Sequence, residues 1–145
     1  MAKQRVMDVM TADVEALDPS DTLKGAAEMM RTLNVGPMPV CEDERLVGII
    51  TDRDIVVRAV ARGLDVNSTP VSQAMSTELQ CVYEDEDISV AAQKMKDERV
   101  RRILVTNRDN KLVGIIALGD IAEALGAREG GETLEAVSEP SQPAH

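Results

Sequence analysis

The sequence predicts a mixed fold, α+β or α/β, built from two similar halves packed about a pseudo-twofold axis. Three observations carry this. Leu46-Val-Gly-Ile-Ile50 recurs letter for letter as Leu112-Val-Gly-Ile-Ile116, and Asp54-Ile55 recurs as Asp120-Ile121. The helical spacing of Leu23, Ala26, Ala27 and Met30 recurs as Ile88, Ala91, Ala92 and Met95, 65 residues later. The offset becomes 66 after the following turn, an extra residue near Asn110, and turns are where insertions are tolerated.

In order along the chain, Val6–Met10 reads as a short apolar helical turn and Val14–Leu17 as a short strand. Asp18-Pro-Ser-Asp21 signals a turn and a helix start, and the helix runs from about Thr22 to Leu33 with Asn34 and Gly36 ending it. Pro37–Cys41 and Leu46–Thr51 are strand-like around a charged turn, so they are predicted to pair as an antiparallel hairpin. A helix over Arg53–Arg62 closes the first half, with Gly63 as its stop. The second half answers with Val71–Met75, a strand at Leu79–Tyr83, a helix from Ile88, strands around Val105 and Leu112–Ile116, and a helix at Asp120-Ile121. The expected division is 1–63, a linker at 64–70, 71–125, and a polar, disordered tail at 126–145 in which Thr133–Val137 could form one helical turn. A half near 55 residues is marginal alone, so the two are expected to bury faces against each other and leave two related clefts.

Composition narrows the function. The formal net charge of −10 argues against nucleic acid or an anionic membrane as the main partner, since both demand a basic face. It leaves room for a small phosphate-bearing ligand. No apolar run reaches the length of a membrane span and Met1–Val6 has no secretory core, so a cytoplasmic protein is expected. Tyr83 is the sole aromatic residue; the core falls to Val, Ile, Leu, Met and Ala. Cys41 and Cys81 read as small, reduced, buried residues, and with only His145 to join them they make no metal site. An enzyme is disfavoured because the folded part has no histidine and no evident nucleophile–base pair.

The chemistry concentrates where a strand runs into a helix. Asp54 and Asp120 stand at the same place in both halves, and a carboxylate can accept from the two adjacent hydroxyls of a ribose. Thr51 offers a hydroxyl for a phosphate, and the N–H groups near Arg53 and Asp54 favour an anion. The second half has Ala117 and Gly119 at those donor positions. Arg101 and Arg102, in the second half, are the candidates for pairing with a phosphate across the interface between the halves; the first half has Gly36 and Pro37 there, so the two clefts are expected to differ. The competing reading makes both Asp residues helix caps and the Arg pair a solvated one.

Gly48-Ile-Ile-Thr-Asp-Arg-Asp54, Gly36-Pro-Met-Pro-Val40, Val100-Arg-Arg-Ile-Leu-Val105 and Gly114-Ile-Ile-Ala-Leu-Gly-Asp120 together resemble a tandem pair of CBS domains, the module named after cystathionine beta-synthase. The resemblance covers about Val6 to Leu125. It implies a β-α-β-β-α unit in each half and a stand-alone regulatory pair that forms a homodimer. It also implies an adenosine-containing ligand (AMP, ADP or ATP, with S-adenosylmethionine or NAD as alternatives) and no required cofactor. By that resemblance Asp54 and Asp120 hold ribose, Thr51 lies near the phosphate, and Thr11, Asp13 and Val14, with Thr77 and Leu79, contact the base. Ala117 departs from the hydroxyl position, and Leu104 stands where the first half has Pro39. With no second domain in view, the regulated target is expected to be another protein, as yet unidentified. The alternative is a ligand-free structural or dimerisation module.

Overall fold

The computed structural model describes residues 4–126. The expected tail beyond Gly126, the helical turn at Thr133–Val137 and His145 all lie outside the described residues. The fold is mixed α+β: residues 80–126 run β-α-β-β-α, and residues 15–79 run α-β-β-α, with Leu17 making an isolated bridge to Val40 where the first strand would stand.

The compact units exchange their leading segments relative to the sequence repeats. One unit is residues 15–79; the other joins 4–14 to 80–126. The 15–79 unit contains helix α2 (Leu23–Leu33), the hairpin β2 (Met38–Glu42) and β3 (Arg45–Ile50), and helix α3 (Asp52–Ile55). A π-helical turn continues α3 over Val56–Val60, and a 3-10 turn covers Val71–Gln73. The other unit contains α1 (Val6–Val9), β1 (Thr11–Ala12), β4 (Cys81–Tyr83), α4 (Ile88–Glu98), β5 (Arg102–Thr106), β6 (Leu112–Ala117) and α5 (Leu118–Leu125).

The sequence explains these elements locally. Thr22 caps α2 by accepting from the Gly25 N–H at 3.1 Å, and Asn34 ends it in the left-handed region at φ 55°. Asp87 caps α4, accepting from the Ser89 N–H at 3.0 Å, and Arg99 takes the Asn34 role at φ 55°. The β2–β3 hairpin turns through Asp43 and Glu44, both at positive φ, the two-residue geometry whose twist matches paired strands. The second hairpin needs a longer loop: Asn107 accepts at its side-chain oxygen from the Asp109 and Lys111 N–H groups, and Asn110 sits at φ 63°. The extra residue of the second repeat falls in this loop.

Three expectations are corrected. Val14–Leu17 is not a strand: Thr11–Ala12 pairs with β6, and Leu17 alone bridges to Val40 in parallel. The helix over Arg53–Arg62 is α-helical only to Ile55, and Val56, Val57 and Val60 face outward. In α2, Ala27 and Leu33 are exposed; Leu23, Ala26 and Met30 supply the core face.

Each leading segment seals its unit in the same way. The Val6 N–H donates to the Glu86 carbonyl at 2.9 Å, and the Val71 N–H to the Asp21 carbonyl at 2.7 Å. Thr11 and Ala12 pair with Ile115 and Gly114; Ser76 and Ile49 exchange bonds of 2.8 and 2.9 Å. Val6 is fully buried with Val82, Ile88, Met95 and Ile116, and Val71 with Leu17, Leu23, Val40 and Ile50. Neither segment is separable from the core that it closes.

Candidate functional site

Each unit has one strand-to-helix junction with a carboxylate on the first helical turn. In the 15–79 unit, Ile50 is buried and ends β3, and Thr51 turns the chain into α3. The Thr51 hydroxyl accepts from the Asp54 N–H at 3.0 Å, while Oδ2 of Asp54 accepts from the Thr51 N–H at 2.9 Å. This reciprocal box satisfies two donors that a helix start leaves open. Oδ1 of Asp54 accepts no hydrogen bond among the described residues; it faces Nε of Arg58 at 3.8 Å.

The 80–126 junction keeps half of this arrangement. Oδ2 of Asp120 accepts from the Ala117 N–H at 3.1 Å, and Oδ1 again accepts nothing among the described residues. Ala117 has the extended backbone of Thr51 (φ −105°, ψ 154° against −112°, 163°) but no side-chain oxygen. Position 124, in register with Arg58, is Ala.

The other expected residues divide by unit. With Asp54 lie Thr51, Arg53, Pro39, Thr77 and Leu79. Arg53 is exposed, its N–H bonded to Oδ1 of Asp52 at 3.0 Å. Pro39 is buried in β2 opposite Ile49 and its carbonyl accepts from the Leu17 N–H at 2.9 Å. Thr77 is exposed and Leu79 half-buried, just beyond the Ser76–Ile49 pair. With Asp120 lie Thr11, Asp13, Val14, Arg101 and Arg102. Thr11 lies opposite Ile115; Asp13 is exposed in a left-handed conformation at φ 59°, and Val14 is half-buried. The Arg101 carbonyl accepts from the Leu118 N–H at 2.8 Å, and Arg102 is opposite Ala117, so Arg102 starts β5 beside the junction and Arg101 immediately precedes it. Both are exposed and have no ion-pair partner among the described residues.

Leu104 occupies the position of Pro39, buried opposite Ile115. Cys41 and Cys81 are both free and half-buried, and burial pushes the Cys41 thiol above its ordinary value. No three described His, Cys, Asp or Glu side chains cluster as metal ligands, and no described helix is long and apolar enough to cross a membrane. Sequence reasoning missed Arg58. Its one signal was the spacing of four from Asp54, which places the two side chains on one helix face.

Comparison with known proteins agrees with this architecture. The CBS domain family matches twice, over residues 6–60 and 71–127. The CBS domain-containing protein YhcV of Bacillus subtilis is 44% identical over 117 residues, covering 81% of this chain and 82% of that protein. Among solved structures, Hypoxic Response Protein I with two coordinated zinc ions superposes with a TM-score of 0.72 at 34% identity, covering 83% of this chain and 98% of that one. CBSX2 in complex with AMP gives a TM-score of 0.70 at 24% identity, covering 83% of this chain and 95% of that one, a likeness of fold. Two copies of the motif, two units with matching junctions, and a family match to each copy lead to one conclusion: the chain belongs to the CBS domain family and carries two such domains in tandem.

Proposed function

We propose that this chain is a regulatory ligand-sensing module that binds an adenosine-containing nucleotide at the Asp54 junction, and in a different pose at the Asp120 junction, and signals to another protein. The observation that supports this reading most is the state of the two carboxylates. Helix capping uses Oδ2 of Asp54 and Oδ2 of Asp120, and leaves Oδ1 of both without a hydrogen-bond donor among the described residues. A pure cap needs one oxygen; a ribose diol is matched by a carboxylate with acceptor capacity to spare. CBSX2, of the same fold, was solved in complex with AMP. The junctions differ in their donors. Asp54 has the Thr51 hydroxyl beside it, while Asp120 has Arg101 and Arg102 at its edge, which favours a more highly phosphorylated ligand there.

The role is binding rather than catalysis. Neither junction aligns a nucleophile with a base, and the Thr51 hydroxyl is engaged by the Asp54 N–H. Signalling requires a ligand that distinguishes two conformations of the module. The outward Val56, Val57 and Val60, each at least half exposed, support association with a second copy as a homodimer.

Thermal unfolding with AMP, ADP, ATP, S-adenosylmethionine and NAD tests the proposal. A ligand at a hundredfold excess over its Kd adds about 2.7 kcal/mol of stability, a shift of several degrees. A shift seen with one of these and lost in Asp54→Ala supports the reading. No shift with any of them favours the ligand-free dimerisation module, which sedimentation of the same samples would reveal.

A further inference from the structure

We infer that Arg58 is a displaceable brace on Asp54: it competes with a bound ligand for Oδ1 of Asp54 and, once displaced, lets go of the Met75 carbonyl. Arg58 Nε stands 3.8 Å from Oδ1, and one terminal guanidinium nitrogen donates to the Met75 carbonyl at 3.3 Å. Both contacts are long, and the Arg58 side chain is half exposed, so the brace is weak enough to be displaced. The other carboxylate oxygen is fixed by the helix cap, which leaves Oδ1 as the part of Asp54 that Arg58 and an incoming hydroxyl would share.

The internal repeat acts as a control. Position 124, in register with Arg58, is Ala, and α5 continues as α-helix where the first repeat has the π-helical turn carrying Arg58. The brace therefore belongs to one repeat and is not needed to build the unit. It connects the carboxylate to a segment with structural consequences. Met75 adjoins Ser76, which exchanges two backbone hydrogen bonds with Ile49, and the chain leaves this unit shortly after, at Leu79. Occupancy at Asp54 would thereby be felt where the chain passes out of the unit.

The inference rests on the proposed reading of Asp54 as the ribose-binding carboxylate. The test is calorimetric titration of the whole chain with AMP and with ATP, for the wild type, Arg58→Gln, Arg58→Ala and Asp54→Ala, with amide hydrogen exchange at Ile49 and Ser76 in the free and bound states. Arg58→Gln keeps a donor for Met75 and removes the charge facing Asp54, so it reports even where Arg58→Ala folds poorly. The expected result is binding roughly two- to fivefold tighter in Arg58→Gln, the scale of an exposed ion pair. Faster exchange at Ser76 on binding is expected in the wild type and not in Arg58→Gln. Unchanged or weaker binding in Arg58→Gln, with loss of binding in Asp54→Ala, overturns the brace and leaves the ribose reading intact. No binding by the wild type, or full binding by Asp54→Ala, overturns both.

Discussion

A Cβ on Gly114 would lie 2.7 Å from the Thr11 carbonyl oxygen and 2.6 Å from Sδ of Met10. The first repeat shows the same relationship: a Cβ on Gly48 would lie 3.0 Å from the Ser76 carbonyl and 2.6 Å from Sδ of Met75. The glycine of the repeated Leu-Val-Gly-Ile-Ile motif is thus the place where each sheet admits its leading segment at close range. Gly114→Ala is expected to destabilise by about 1–3 kcal/mol, because a paired backbone carbonyl has little room to move. Gly48→Ala should cost less, its carbonyl being farther away. Gly119→Ala, with open space around its Cβ position in α5, should be neutral or stabilising by up to about 1 kcal/mol. Chemical denaturation of the three variants checks the order.

The exchanged segments make crossed effects. Val6 belongs to the first sequence repeat and is buried in the core of the 80–126 residues; Val71 belongs to the second and is buried in the core of the 15–79 unit. Val6→Ala should weaken amide protection in β5 and β6 and leave β2 and β3 intact, and Val71→Ala should do the reverse. Each loses two buried methyl groups, about 1.5–2.5 kcal/mol. Hydrogen exchange resolved by segment separates this from the uncrossed outcome.

This crossing marks where the sequence stops being legible. The repeat, the hairpins, the helix stop at Asn34 and the extra hairpin residue near Asn110 were readable because each is a local rule: a period, a turn or a stop. That Val6–Met10 answers Val71–Met75 was also readable. Which core each segment enters was not, because two cores built to one pattern accept either segment equally well on paper. The strand expected at Val14–Leu17 failed for the same reason, since Thr11–Ala12 finds its partner in β6 across more than a hundred residues. That Asp54, Thr51 and Asp120 stand at the strand-to-helix junctions was legible from motif register. Arg58 was not, because its relevance depends on the Met75 carbonyl that arrives with the leading segment.

The unequal caps can be equalised. Thr51→Ala removes the hydroxyl that accepts from the Asp54 N–H and should destabilise by about 1 kcal/mol. Ala117→Thr supplies the missing oxygen to a backbone already in the same conformation, and should stabilise by roughly 0.5–1 kcal/mol. Thermal melts of both single variants test the pair.

Acid should remove one identifiable contact. Arg108 donates twice to Asp85, at 2.9 and 3.1 Å, and its guanidinium lies 3.9 Å from the centre of the Tyr83 ring. The hydrogen bond from Arg108 holds the Asp85 carboxyl below its ordinary value. A carboxyl whose pKa is lowered by folding contributes stability above its unfolded pKa and loses that contribution as pH falls through the folded value. The wild type should therefore melt slightly above Asp85→Asn at neutral pH, with the gap closing only below the ordinary carboxylate range. The gap should be small, since the pair is solvated. Melting temperatures of both proteins across pH 2–7 provide the check.

Calorimetric titration of the wild type, Asp54→Ala and Asp120→Ala with AMP and ATP tests the central claim most directly. The expected result is saturable binding in the wild type that weakens about tenfold or more in Asp54→Ala, the scale of losing a hydrogen bond to a charged group, with an unchanged circular dichroism spectrum. Saturable binding left unaltered in both variants, or no binding by the wild type of any adenosine-containing nucleotide, would contradict it.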